Sequence, residues 1–159
     1  MKSPLLRFTL GFFALLAAVS PLRAQRERFP MDDLEIIEKR WPNAKRTATS
    51  LRYLVLKAGD PKGPLPRPGM TVSVLYKGML LDGKVFDQAL DPAQPFRTRV
   101  AREEVIAAWD EVLQKMRRGD KWLVIVPYEL GYGTRGRPPA IPQRATLVFE
   151  MELLDFGGK

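Results

Sequence analysis

The 159-residue chain contains no cysteine and no histidine. Without cysteine there is no disulfide, no thiolate metal site and no cysteine nucleophile. Without histidine the commonest general base and the commonest metal ligand are both gone. Any chemistry must run on carboxylates, hydroxyls, lysine or shape alone. The usual catalytic signatures are missing as well. No G-x-x-x-x-G-K phosphate cradle, no dinucleotide fingerprint and no cluster of metal-ligating residues occurs. Gly131-Tyr132-Gly133 follows no lysine-bearing strand–helix turn, so it does not read as a phosphate loop. Hydrophobic residues at 45% and charged residues at 28% describe an ordinary globular chain, neither disordered nor multi-span.

Apolar runs are short too. Between Arg7 and Arg23 lie fifteen uncharged residues, fewer than the roughly 20 a spanning helix needs. Lys2 and Arg7 precede the run, and Leu22 and Ala24 offer small or apolar side chains at a cleavage site. Residues 1–24 therefore read as a secretory signal peptide, with Gln25 first in the mature chain. No cysteine follows the run, which excludes a bacterial lipoprotein anchor. Without Lys2, Arg7 and Arg23 the 26 basic residues become 23 against 18 acidic ones, a net charge of +5. These charges are scattered, with no aromatic-interleaved basic stripe, which argues against nucleic-acid binding. An exported chain without cysteine fits the bacterial periplasm best, otherwise the cell exterior, with no stable membrane association after cleavage.

Residues 25–68 read as an N-terminal arm. Asp32 is a candidate cap for a short helix over Asp33–Arg40, with Leu34, Ile37 and Trp41 on one face and Pro42 as its stop. Thr49–Lys57 is rich in strand formers. Gly59–Gly69 holds four prolines and three glycines and reads as a loop. Residues 69–159 read as the main domain. Thr71–Leu81 alternates, placing Val72, Val74 and Tyr76 on one face. Asp82-Gly83 signals a hairpin turn, Lys84–Asp87 a returning strand and Phe96–Val100 another.

Arg102–Met116 carries helical spacing through Val105, Trp109, Val112 and Met116, with Glu103 and Glu104 expected in its first turn, Arg117 and Arg118 at its end and Gly119 as its cap. That cap also accounts for Arg118-Gly119-Asp120 without a cell-adhesion role. Lys121–Pro127 is a buried strand, Tyr128–Gln143 a long loop, and Ala145–Phe156 alternates Leu147, Phe149, Met151 and Leu153 against Glu150 and Glu152. One helix against about five or six strands excludes a parallel doubly wound sheet. The expected class is α+β: an antiparallel β-sheet wrapped around one short α-helix.

Aromatic residues are spread over strands, loops and the helix: Tyr76, Phe86, Phe96, Trp109, Tyr132 and Phe149. Spacing alone favours a plain core, but an open concave sheet with Trp109 presented by the helix also forms a small-ligand pocket. Asp87, at the end of an apolar strand, is either a turn residue or a buried acceptor.

The segments LYKGMLLDGKVFD (75–87), PF (95–96), EVIAAWDEVLQKMRRGDK (104–121), IVPYELGYGTRG (125–136) and IPQRATLVFEMELLDF (141–156), in this order, resemble the FKBP-type peptidyl-prolyl cis-trans isomerases. The likeness runs from about Gly69 to Phe156. It implies an antiparallel sheet around one short helix, rotation of X–Pro bonds as the activity, no cofactor, and proline-containing polypeptides as partners, with macrolide inhibitors a second class of ligand. It also implies catalytic roles for Asp87, Tyr132, Ile106 and Phe86, and substrate binding by Tyr76, Phe96, Val105, Trp109, Ile141 and Phe149. Trp109 would be the floor under the proline ring, and the Ile106 N–H and Tyr132 hydroxyl would bind substrate carbonyls.

Three departures stand out. Ala108 replaces the glycine usual before the tryptophan. Arg137 and Ala140 replace a histidine and the first of two β-branched residues in the loop after Tyr132. Pro92 stands where an arginine often supports the aspartate, leaving Arg97 or Arg99 as substitutes. These bear on rate, sequence preference and macrolide affinity. A non-catalytic secreted chaperone or proline-peptide binding module is the alternative function. It is motivated by the altered loop and the extra arm.

Overall fold

The computed structural model describes residues 27–157, so the expected signal peptide lies outside the described residues. Helix α1 spans Met31–Arg40. Strands β1 (Lys45–Arg46), β2 (Arg52–Lys57), β3 (Thr71–Leu80), β4 (Val85–Ala89) and β5 (Phe96–Arg99) follow. Helix α2 spans Ala107–Leu113, and β6 (Lys121–Val126), a 3₁₀ turn at Tyr128–Leu130 and β7 (Leu147–Gly157) complete the order. The strands form one seven-stranded antiparallel sheet in the order β1-β2-β6-β7-β3-β4, with β5 also paired to β3. This is the expected α+β class, with seven strands rather than five or six.

Burial follows the sequence pattern strand by strand. On β3, Val72, Val74, Tyr76 and Gly78 are buried in alternation, as a half-covered strand requires. Trp122–Val126 is a continuous apolar run because both faces of β6 are covered. Trp122, Val124 and Val126 join the main core with α2, whereas Leu123 and Ile125 face the other way, toward Ile37 of α1. The arm is thus part of the fold. Ile37 is fully buried, the Thr146 hydroxyl donates to Asp33 at 2.6 Å, and Arg40 donates to the Leu81 carbonyl at 2.6 Å.

Four local expectations are corrected. Asp32 does not cap α1: the residue before the helix is Pro30, no side chain caps it, and Asp32 and Asp33 sit in the first turn. The strand expected from Thr49 starts only at Arg52, because Ser50 has φ 71° in a turn. The helix expected over Arg102–Met116 is only seven residues long. Ala101 and Glu103 adopt φ 55°, and the Asp110 carboxylate accepts their backbone N–H groups at 2.8 and 3.1 Å. Residues 101–106 therefore loop across the helix start instead of joining it. Glu103 and Glu104 are consequently not in a first turn, and Arg117, Arg118 and Gly119 lie beyond the helix end. Gly119, with φ 84°, makes a tight turn into β6 rather than a helix cap.

Candidate active site

A seven-residue helix is about 10 Å long, while a ten-residue strand such as β3 runs about 33 Å. Helix α2 therefore cannot cover the concave face of the sheet. The uncovered end holds a cavity of about 410 Å³. Its lining comes from separate elements: Tyr76 on β3, Phe86 and Asp87 on β4, Phe96 on β5, Val105 and Ile106 before α2, Trp109 on α2, Tyr132 in the long loop and Phe149 on β7. Nine of the ten expected site residues thus meet around one space. The tenth, Ile141, is buried and lines an adjoining cleft instead.

Trp109 is 4% exposed and is the hub of the aromatic cluster. Its ring meets Tyr76 at 4.8 Å, Phe149 at 5.5 Å and Phe96 at 5.6 Å, centroid to centroid, each within 10° of perpendicular. Edge-on contacts of this kind each contribute about 0.5–1.5 kcal/mol beyond burial and fix ring orientation. Phe86 closes the set, perpendicular to Phe149 at 5.7 Å.

Two neighbours on a regular strand point to opposite faces, yet Phe86 and Asp87 both line the cavity. The register explains this. Gly78 pairs with Asp87 and Met79 with Val85, so Phe86 is an extra residue in β4, a β-bulge that turns its ring inward. Gly78 makes room for that ring. A Cβ there would lie 2.8 Å from Phe86 and 2.9 Å from Phe149. Neither the bulge nor the clearance at Gly78 has a sequence signal beyond the glycine itself.

Asp87 is exposed at the rim, but its carboxylate is held. One oxygen accepts from the Tyr76 hydroxyl at 2.7 Å and the other from the Gln88 N–H at 2.9 Å. Burial, and then the bond to Asp87 and its charge, push the Tyr76 phenol well above the usual value of 10.0, so Tyr76 stays a donor. Neither Arg97 nor Arg99 supports the aspartate. Arg99 pairs with Glu104 through its guanidinium and donates its backbone N–H to the same carboxylate at 2.9 Å. Among the described residues, neither the Ile106 backbone N–H nor the Tyr132 hydroxyl is taken up by a protein hydrogen bond. Both border the cavity as unused donors.

Three lining residues were not among the expected ten: Glu103, Glu104 and Arg137. The sequence pattern puts both glutamates on a helix, but they precede α2 in a segment where Ala101 and Glu103 have positive φ. Arg137 was visible as a departure in the loop. Ala108 is fully buried behind Trp109 and does not line the cavity.

A family model described as FKBP-type peptidyl-prolyl cis-trans isomerase matches residues 63–154. FK506-binding protein 1A of Aspergillus fumigatus is 42% identical over 94 residues, 59% of this chain and 84% of that protein. The isomerase FkpA of Escherichia coli strain K12 is 43% identical over 111 residues, 70% of this chain but only 39% of FkpA. Among solved structures, a peptidyl-prolyl cis-trans isomerase from Pseudomonas syringae pv. tomato superposes with a TM-score of 0.69 at 34% identity, covering 80% of this chain and 92% of that one. The match spans the strands and the helix that build the cavity, and on that ground the chain belongs to the FKBP-type peptidyl-prolyl cis-trans isomerase family.

Proposed function

We propose that the chain accelerates cis–trans rotation of X–Pro bonds in polypeptides by binding the twisted amide in the Trp109 cavity. The observation that carries this is the open, aromatic-walled space over Trp109, bordered by two unengaged donors.

The barrier to rotation is the lost resonance of the amide, about 18–20 kcal/mol. No covalent bond is made or broken, so a chain without cysteine or histidine can supply everything the reaction asks. The site has only to bind the perpendicular amide more tightly than either planar form. The proline ring sits on Trp109 between Tyr76, Phe96 and Phe149. Apolar walls exclude the water that favours the planar, more polar amide. The Ile106 N–H and the Tyr132 hydroxyl hold carbonyls on either side and keep the chain from turning with the bond. Asp87, fixed by Tyr76, faces the rotating amide across the mouth with Phe86. A 10⁴-fold acceleration requires only about 5.5 kcal/mol of preferential binding. Shape, desolvation and two hydrogen bonds are sufficient for that.

The clients we propose are exported proteins. The support is the residue pattern of positions 1–24. Macrolides that fill the same aromatic space are proposed as inhibitors. Isomerase activity on chromogenic Xaa-Pro peptides tests the proposal. Phe86→Ala, Asp87→Ala and Tyr132→Phe should each lower kcat/KM. Folded wild-type chain that accelerates no peptide, whatever residue precedes proline, would overturn it.

A further inference from the structure

Beside the aromatic cavity lies a second cleft of about 360 Å³. It shares Phe86, Asp87, Tyr132 and Arg137 with the cavity, and Pro138–Ile141 form its far wall. The two spaces therefore adjoin, and Arg137 borders both. Its backbone is rigidly held. Arg137 and Ile141 exchange hydrogen bonds of 2.8 and 3.0 Å, and Gly136 takes φ 64° in a turn where a Cβ would lie 2.1 Å from the Pro142 carbonyl oxygen. The guanidinium itself is exposed and makes no ion pair among the described residues.

Asp87, which lines the same cleft, forms no ion pair with Arg137; its oxygens accept from the Tyr76 hydroxyl and the Gln88 N–H. The surrounding loop, 128–145, adds Arg135 and Arg144 against a single acid, Glu129. Glu103 and Glu104 line the aromatic cavity but not the second cleft. Among the described residues that line the second cleft, Asp87 accepts from Tyr76 and Arg137 is the one cation.

We infer that this cleft is a subsite for an acidic client side chain adjacent to the proline, received by Arg137. The inference rests on the isomerase reading, because the proline must occupy the aromatic cavity for its neighbour to fall beside Arg137. Successive Cα atoms are only about 3.8 Å apart, so a residue next to the bound proline reaches the shared wall. A guanidinium is suited to the task, since its planar fork matches both oxygens of a carboxylate.

The test uses the full chain and two peptide sets, one varying the residue before proline and one the residue after, each with Glu, Gln or Lys. The quantity read is the Glu-to-Lys ratio of kcat/KM within each variant, so a general loss of activity cancels. In at least one set the wild-type ratio should be about 5 at low salt, equivalent to about 1 kcal/mol. It should shrink toward one as salt screens the exposed pair. Arg137→Lys should keep the preference, Arg137→Gln should bring it to about one, and Arg137→Glu should invert it. A wild-type ratio near one in both sets, or a ratio that survives Arg137→Gln, overturns the subsite. If no peptide is isomerised, the isomerase reading fails separately. Calorimetric binding of the same peptides then decides the subsite by the same ratio.

Discussion

On the outer face of the sheet, Leu123, Ile125 and Val148 lie under α1, with Ile37 at 0% exposure and Phe29 at 5%. On the concave face, apolar material from β3, β6 and β7 packs on the short α2 and on loop residues such as Leu51, Val100, Met116 and Ile141, and a cavity of about 410 Å³ stays open. Both faces start from alternating apolar strands. What differs is the length and placement of the helix laid across them. The sealed face converts its apolar surface into stability. The open face leaves part of it, as aromatic edges around Trp109, for a ligand to complete. The comparison implies that outer-face changes act on stability alone, whereas changes around the cavity act on activity as well as stability, with Trp109 contributing most to both.

The largest effect is therefore expected from Trp109→Ala. It removes three edge-on ring contacts and the cavity floor together. Stability should fall by about 3–5 kcal/mol, as for other buried aromatic truncations. Urea denaturation measures that loss. Peptide isomerisation by the protein that stays folded should drop about 100-fold or more. Retained activity in a folded Trp109→Ala chain would break the assignment of the concave face.

Ile37→Ala is the matching change on the sealed face. A fully buried isoleucine cut to alanine costs about 2–5 kcal/mol. Activity per folded molecule should stay within about two-fold, because Ile37 packs on the face away from the cavity. Loss of kcat/KM in step with stability would show that the two faces are coupled through the sheet.

Gly78→Ala sharpens the comparison from within one strand. The added methyl meets the ends of Phe86 and Phe149, two side chains that border open space and can yield into it. Stability should fall by only about 1–3 kcal/mol, the usual range for overpacking. The rings that yield narrow the cavity, so KM for peptides with bulky residues before proline should rise several-fold more than for Ala-Pro peptides. Equal changes for both peptides would mean that the rings do not move into the site.

The alternation of Val72, Val74 and Tyr76, the turn at Asp82-Gly83 and the apolar run of Trp122–Val126 were all legible in the sequence, because each is a local pattern of neighbouring residues. The short α2 was not. Val105 and Ile106, just before it, continue the helical spacing of apolar side chains, but the Asp110 carboxylate captures the Ala101 and Glu103 N–H groups and holds that segment out of the helix. That competition is tertiary, between one side chain and a helix end, and leaves no periodic trace. The bulge at Phe86 is the same kind of case: a register shift set by pairing with β3. The segment chemistry that resembles the isomerase family still brought nine of ten expected residues to one cavity. The acidic part of the rim stayed hidden, because Glu103 and Glu104 reach the cavity only from a segment that does not join the helix.

The smallest effect concerns pH, and its sign differs between the two ends of the range. Hydrogen bonds from the Arg99 backbone and guanidinium hold the exposed Glu104 carboxyl below its usual value of 4.5. A depressed carboxyl contributes stability above its ordinary value, lost as pH falls through the lowered one. Tyr76 moves the other way, raised first by burial and then by Asp87. Its contribution is fully present below about pH 10 and is lost as pH climbs toward the raised value. No histidine or cysteine titrates between these limits. The kcat/KM profile should therefore be flat from about pH 6 to about pH 9. It should weaken in acid, where Glu104 releases Arg99 and the loop that carries Val105 and Ile106 loosens. Tyr76→Phe tests the pairing directly. It deletes the bond to Asp87, lowering kcat/KM a few-fold, and leaves the acid limb in place. A bell-shaped profile centred near pH 7 would mean that a group outside this pairing controls the open face.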